Sequence, residues 1–153
     1  FLVASAGALV TTICDTTDTG SGGYRFLKLD AGMTEILRPS LYGAQHPIIT
    51  LPKKPDAGTA EYIVTGHCCE SGDILTPAPG DPEVLQPREL SEATIGDLCI
   101  IEGIGAYCSS MPAKNYNSFP EAAEALLCEN GDLQLIRQRQ TLDQVLQNEV
   151  PPS

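Results

Sequence analysis

Three segments of the sequence combine side chains that could bind a ligand or move a proton. The first, residues 30–42, places Arg38 and Tyr42 four residues apart in a turn bounded by glycine and proline. A planar guanidinium and a phenol at this spacing could bind a carboxylate. A surface arginine beside a half-buried tyrosine gives the same pattern, and residue types alone favour this second interpretation.

The second segment, residues 66–73, follows a predicted strand and contains adjacent cysteines at 68 and 69. Cys69 precedes Glu70, and a thiol beside a carboxylate could transfer a proton if its surroundings tune the thiol pKa. The alternative is a buried thiol in a β-turn shaped by the Ser-Gly-Asp sequence that follows, with Asp73 forming the loop. His67 is more typical of a hydrogen-bonded structural residue than of a ligand.

The third segment, residues 103–117, has small residues before Tyr107, which let another group approach the backbone closely. This predicts either a ligand surface or tight packing, and the pattern favours packing. No phosphate-binding loop, dinucleotide fingerprint or GxSxG elbow is found in the sequence. None of the four lysines has the apolar neighbours that favour Schiff-base chemistry, so the sequence lacks the parts of a self-contained enzyme.

Composition limits the class of protein. The chain has 153 residues, 42% of them apolar, which predicts one folded domain over residues 1–153. Its net charge of −11 argues against nucleic acid or a membrane surface as the partner. No apolar run approaches the roughly 20 residues of a membrane span. The first residue is Phe1, which fits a chain that begins within a longer protein.

The six cysteines predict free thiols in a reducing, cytoplasmic compartment. They lie at 14, 68, 69, 99, 108 and 128 without a CxxC pair, so no zinc or other metal site is expected. An even number of cysteines also allows disulfides. However, Cys99 and Cys128 stand within apolar stretches, where a buried free thiol is the common state.

About seven short strands with little helix predict a mainly β fold, either a sandwich or a barrel. The predicted strands cover residues 1–14, 24–30, 46–51, 60–66, 97–102 and 133–137, with a hairpin connection at 19–23. Residues 32–42 predict a helical turn followed by a loop. Residues 76–92, with four prolines, predict an exposed excursion.

Towards the end of the sequence, two segments carry helix signals. Propensity predicts a helix at residues 120–127. Thr141 to Gln144 is a capping-box pattern that predicts a short carboxy-terminal helix.

Taken in order, the segments resemble the diaminopimelate decarboxylase family, of the alanine-racemase-like fold type of pyridoxal-phosphate enzymes. "LDAGMTEILRPSLYGAQHPI" resembles its DAGM…RPxLYxxxH stretch and "GHCCESGDIL" its CESGD motif. "GIGAYCSSMPAKNYN" resembles GAYxxSMxxxYN, and "LIRQRQTLDQVL" the closing RxRxT segment. The resemblance extends over residues 1–146 and implies a strand, not a helix, at residues 121–128.

The resemblance implies a carboxy-terminal β-sandwich or barrel domain, with a TIM-like barrel carrying the cofactor lysine outside this chain. Cys69 would be the proton donor, delivered from one protomer of a homodimer into the active site of the other. Glu70 would hold the distal amino group of the substrate, Arg38 and Tyr42 its distal carboxylate, and Tyr107 would lie against substrate and cofactor. The implied reaction converts meso-diaminopimelate to L-lysine and CO2.

The sequence departs from the family pattern at Ser40, at residues 43–45 and at Cys68, and residues 76–92 exceed the usual length. A relative acting on carboxynorspermidine, ornithine or arginine is one alternative. A dimerisation module without chemistry is another, and the chain alone is expected to be inactive.

Overall fold

Ten strands and two short α-helices form the regular structure of the computed structural model, which describes residues 2–152. The strands are β1 (Ala8–Asp18), β2 (Arg25–Leu29), β3 (Ile48–Leu51), β4 (Thr59–Thr65), β5 (Pro77–Ala78), β6 (Asp81–Leu85), β7 (Arg88–Ser91), β8 (Leu98–Glu102), β9 (Glu124–Leu127) and β10 (Leu133–Arg137). The helices are α1 (Arg38–Tyr42) and α2 (Leu142–Val145). The chain divides into two compact units, one ending at Ala113 and the other beginning at Lys114, and the expectation of one domain over 1–153 stays a prediction.

The first unit is built on a six-stranded sheet in the order β3-β8-β1-β2-β4-β7. The pairs are antiparallel except β2 with β4, which is parallel. The two edge strands, β3 and β7, lie close together. The Thr50 hydroxyl of β3 donates a hydrogen bond of 2.7 Å to the carbonyl oxygen of Ser91 in β7. The sheet therefore nearly closes, which confirms the predicted mainly β fold.

Apolar side chains of alternating strand residues fill the interior of this sheet. The buried core consists of Ile13, Leu27, Leu29, Ile36, Tyr62, Val64, Leu75, Leu90, Ala93, Cys99, Ile101 and Cys108. Because side chains alternate between the two faces of a strand, Leu27 and Leu29 point inward while Lys28 is exposed. The core thus comes mostly from aliphatic residues.

The prediction of an exposed excursion at residues 76–92 is wrong. This segment forms a hairpin of β5 and β6, followed by β7 at the edge of the main sheet. Thr76 and Pro77 are fully buried at its start. Proline lacks a donor for the ladder but is accepted in edge and short strands, so four prolines in this segment do not exclude strands.

Two boundaries in the first unit also differ from the prediction. A 3₁₀ turn over Ala4–Ala6 precedes β1, which runs on to Asp18 instead of ending at residue 14. Within residues 32–42 the loop comes first and α1 follows. Pro39 stands in the first turn of α1, where its missing N–H costs no helical hydrogen bond, and Gly43 ends the helix in the left-handed region.

The second unit contains a hairpin of β9 and β10 and then α2. The strand implied by the resemblance is confirmed at Glu124–Leu127, and the helix indicated by propensity is wrong there, because pairing with β10 overrides local preference. The capping box is confirmed: the Thr141 hydroxyl accepts from the Gln144 amide at 3.2 Å, and the Gln144 side chain accepts from the Thr141 amide at 2.8 Å. No helix among residues 2–152 is long and apolar enough to cross a membrane.

Candidate functional site

A single buried carboxylate joins the first two candidate segments. Asp73, only 3% exposed, accepts a 2.7 Å hydrogen bond from the Met33 amide on Oδ1 and a 2.9 Å bond from the Cys68 amide on Oδ2. Its own backbone amide donates to Glu70 O at 3.1 Å, and its carbonyl accepts from Gly66 N at 2.9 Å. Asp73 therefore shapes the loop, as expected, and also holds it against the turn that leads into α1.

Two glycines leave the space that this carboxylate occupies. A Cβ atom added to Gly32 would lie 2.4 Å from Asp73 Oδ2, and one added to Gly66 would lie 2.2 Å from the same atom. Neither contact is tolerable, because the carboxylate is held by two backbone amides. The glycines before Met33 and after β4 thus allow the two segments to approach.

A second connection between the two segments involves three side chains, which we call the Thr34–Glu35–His67 cluster. His67 Nε2 lies 2.7 Å from Thr34 Oγ1 and 3.9 Å from Glu35 Oε2. Glu35 Oε2 also accepts from the Thr34 hydroxyl at 2.6 Å and from the Gly32 amide at 2.9 Å. His67 is hydrogen-bonded, in agreement with its predicted structural role.

The two adjacent cysteines have different surroundings. Cys69 is exposed, whereas Cys68 is half-buried, and burial together with the nearby Asp73 carboxylate raises the pKa of the Cys68 thiol to about 12. Glu70, on the exposed side of the loop, accepts from the Gly72 amide at 3.1 Å. An open groove beside this loop is lined by Cys68 and Glu70. Cys69 and Glu70 are thus exposed on the loop, and the half-buried Cys68 lines the groove beside them.

The first and third segments meet at Arg38 and Tyr107. The guanidinium carbon of Arg38 lies 5.7 Å from the centre of the Tyr107 ring. Arg38 Nε is buried and has no hydrogen-bond partner among residues 2–152. Tyr42 follows one helical turn after Arg38, on the same side of α1, and its side chain is exposed. Arg38 thus keeps donor capacity for a ligand.

Tyr107 has an unusual backbone conformation for a non-glycine residue. Its φ of +60° lies in the left-handed region, and its side chain is 58% exposed. The next residue, Cys108, is buried, and burial raises the pKa of its thiol. This turn directs a buried thiol inward and leaves the Tyr107 ring beside Arg38.

The small residues before Tyr107 serve packing, as their pattern indicated. A Cβ atom on Gly105 would lie 1.8 Å from the carbonyl oxygen of Val3. The Gly105 amide donates to Ala4 O at 3.0 Å, and the Ile104 amide donates to Gly7 O at 3.1 Å. The 3₁₀ turn before β1 therefore occupies the space that glycine leaves free.

The structure joins all three segments through backbone and side-chain contacts. Asp73 and the Thr34–Glu35–His67 cluster connect the first to the second. Arg38 meets Tyr107, and the Ala113 amide donates to Met33 O at 3.0 Å, which connects the first to the third. Thr34 and Glu35 were not among the predicted site residues, since nothing in the local pattern shows that they face His67.

No group of three or more His, Cys, Asp and Glu side chains within residues 2–152 is arranged to hold a metal ion. The six cysteines are free thiols.

Comparison with known proteins gives a consistent result. Residues 1–105 match the family described as pyridoxal-dependent decarboxylase, C-terminal sheet domain. A diaminopimelate decarboxylase from Escherichia coli K12 is 39% identical over 150 residues, covering 95% of this chain and 34% of the relative. The chain therefore spans about a third of the length of the relatives that it matches.

Solved structures agree with the sequence relatives. One crystal structure of diaminopimelate decarboxylase aligns with a TM-score of 0.86 and 37% identity, covering 95% of this chain and 34% of that one. The Helicobacter pylori diaminopimelate decarboxylase complexed with L-lysine aligns with a TM-score of 0.78 and 34% identity, covering 95% of this chain and 32% of that one.

Proposed function

The chain belongs to the pyridoxal-dependent decarboxylases, as their C-terminal sheet domain, and on this basis we propose that it is part of a diaminopimelate decarboxylase. The complete protein would be an amino-acid decarboxylase of lysine biosynthesis that converts meso-diaminopimelate to L-lysine and CO2. The observation that carries this proposal is that residues 30–42 contact both other segments: Arg38 lies beside Tyr107, and Met33 is bonded to Asp73 of the loop that contains Cys69 and Glu70. The free cysteines are in keeping with a cytoplasmic enzyme.

Arg38, Tyr42 and Glu70 suit a substrate that carries an amino acid at its far end. Arg38 Nε has no hydrogen-bond partner among residues 2–152, and the guanidinium would bind a carboxylate to which the Tyr42 hydroxyl also donates. Glu70 is exposed and would accept from the distal ammonium group. Together these side chains recognise both charges of one end of meso-diaminopimelate.

Cys69 is better suited than Cys68 to return a proton to the carbon that loses CO2. Its side chain is exposed, whereas the pKa of about 12 at Cys68 makes that thiol a weak acid in a half-buried position. General acids work best when their pKa is near the operating pH. We therefore assign the proton transfer to the Sγ–H group of Cys69.

The residues present fit one side of a pyridoxal-phosphate site. Tyr107 offers an exposed ring beside the Arg38 guanidinium, and this ring would lie against the cofactor and substrate. All four lysines are exposed, whereas a Schiff-base lysine is activated by desolvation. The cofactor supplies an electron sink for the loss of CO2, and its lysine would come from the barrel domain.

The outer face of β1, β8 and β3 has exposed apolar side chains, as expected for a surface that packs against another domain or another chain. Val10 is paired with Ile100, and Ile100 with Ile49. Leu98 and Leu51 form the neighbouring pair on the same face. Contiguous apolar patches of this kind mark interaction sites. This supports covering by the barrel domain or by a second protomer in a homodimer with shared active sites.

The proposed activity is tested with the complete protein, purified and loaded with pyridoxal phosphate. We expect CO2 release and L-lysine formation from meso-diaminopimelate, and far lower turnover of ornithine, arginine and carboxynorspermidine. Preference for one of these three would show a related decarboxylase. Loss of all activity in a protein that binds the cofactor would favour a module without chemistry.

The shared active site has its own test. A complete Cys69→Ala protein is mixed with a complete protein that lacks the cofactor lysine, under conditions in which hybrid dimers form. Part of the activity should return, since one site of each hybrid then has both groups. If hybrids form and activity stays absent, Cys69 acts within its own protomer.

A further inference from the structure

The Thr34–Glu35–His67 cluster holds the loop that carries Cys69, and we propose that Thr34 and His67 are positioning residues for proton transfer. The inference rests on the proposed function of Cys69. His67 precedes Cys69 by two residues, and Thr34 precedes Arg38 by four. Their contact therefore joins the segment of the proton donor to the segment of the substrate-binding arginine.

The direction of the hydrogen bonds defines the histidine tautomer. The Thr34 hydroxyl donates its one hydrogen to Glu35 Oε2 at 2.6 Å. The Thr34 oxygen must then accept a hydrogen bond from His67 Nε2, which lies 2.7 Å away. His67 therefore carries a hydrogen on Nε2. Glu35 Oε2, which also accepts from the Gly32 amide, fixes the hydroxyl in this orientation.

The cluster is buried enough for these contacts to persist. Thr34 is 4% exposed, and the side chains of His67 and Glu35 are 12% and 11% exposed. Hydrogen bonds out of contact with bulk water are costly to lose, because the groups left behind stay unsatisfied. The cluster therefore restrains the His67 backbone in the folded chain.

The cluster is a second attachment of the loop, in addition to Asp73. Asp73 holds the Cys68 amide and the Met33 amide through its carboxylate. The His67–Thr34 contact ties the residue before Cys68 to the same segment at a second place. Two attachments on neighbouring residues restrain the backbone that leads into Cys69.

Thr34→Val tests the contact with little change of shape, and Thr34→Ser restores the hydroxyl. Thr11→Val is the matched control, because the Thr11 hydroxyl is also buried and bonded, to Cys99 O at 3.0 Å, within the sheet. Amide hydrogen exchange is measured on this chain. We expect exchange at residues 66–70 to accelerate about tenfold in Thr34→Val and to stay near the original rate in Thr34→Ser and Thr11→Val.

Turnover of meso-diaminopimelate by the complete protein is the second measurement. Thr34→Val should lower kcat about tenfold, the scale of a small misplacement of a reacting group, and Thr34→Ser should recover most of it. Thr11→Val should keep the original kcat even if its melting temperature falls. His67→Ala should repeat the loss, and His67→Gln, which keeps a donor, should be milder.

Unchanged exchange and turnover in Thr34→Val would overturn the positioning role. Equal acceleration in Thr11→Val would do so too, because it would show general loosening of the sheet. An original protein without decarboxylase activity would contradict the proposed function instead, and the exchange rates would still decide whether the cluster holds the loop.

Discussion

Asp73→Asn should destabilise the first unit by about 2–3 kcal/mol. The carboxylate is 3% exposed and accepts from two backbone amides, at 2.7 and 2.9 Å. Asparagine keeps one oxygen but turns an amide donor towards the other N–H. The lost charge-assisted bond and the unsatisfied buried N–H that it leaves are one change, on the scale of roughly 2–3 kcal/mol. Because the chain has no Trp, urea unfolding is followed by far-UV circular dichroism.

Asp81→Asn is the matched control for this change. Asp81 is exposed and accepts from the Glu83 amide at 3.1 Å in a separate hairpin. Its replacement should alter the free energy of unfolding by no more than about 0.5 kcal/mol. An Asp73→Asn protein as stable as Asp81→Asn would show that the carboxylate does not hold the two segments together.

Three further predictions concern the substrate site, pH and the cofactor. Arg38→Lys in the complete protein should cost about 2–4 kcal/mol of transition-state stabilisation, since lysine lacks the planar fork, and unchanged kcat/KM would remove Arg38 from the site. Hydrogen bonds from the Thr94 and Lys53 amides lower the pKa of Asp97 below its ordinary 3.8. The stability that the Asp97 carboxylate contributes should be complete above about pH 5 and should disappear as pH falls through the folded-state pKa. The free energy of unfolding in urea should therefore fall less steeply at acid pH in Asp97→Asn. The same pH dependence in both proteins would refute this. This chain alone, mixed with pyridoxal phosphate, should show no stoichiometric aldimine absorbance, and a saturable band would contradict the assignment of the lysine to the barrel domain.

Local patterns predicted those elements whose signals are local. The hairpin between β1 and β2 follows from alternating residues around a glycine-rich turn, and α2 follows from its capping box. The segment at 76–92 could not be recognised in this way. Its prolines weaken strand propensity, and β7 forms because residues 88–91 pair with β4, far from it in sequence.

The candidate site was predictable in its residue types but not in its connections. Adjacent cysteines and an Arg–Tyr pair stand out in a linear sequence, and the resemblance assigned their roles. Contacts such as Thr34 with His67, or Met33 with Asp73, span 33 and 40 residues and depend on the parallel pairing of β2 and β4. Residues 120–127 likewise have a helix propensity, but β9 forms within them because it pairs with β10.

The most direct test of the central claim compares Cys69→Ala with Cys68→Ala in the complete protein. Both variants should bind pyridoxal phosphate. With meso-diaminopimelate, Cys69→Ala should lower kcat roughly 10²-fold or more, as expected for a lost general acid. Cys68→Ala should have a mild effect, because the pKa of about 12 and the half-buried position of Cys68 mark a structural thiol. The reverse order, or equal kcat in both variants, would contradict the assignment of proton transfer to Cys69.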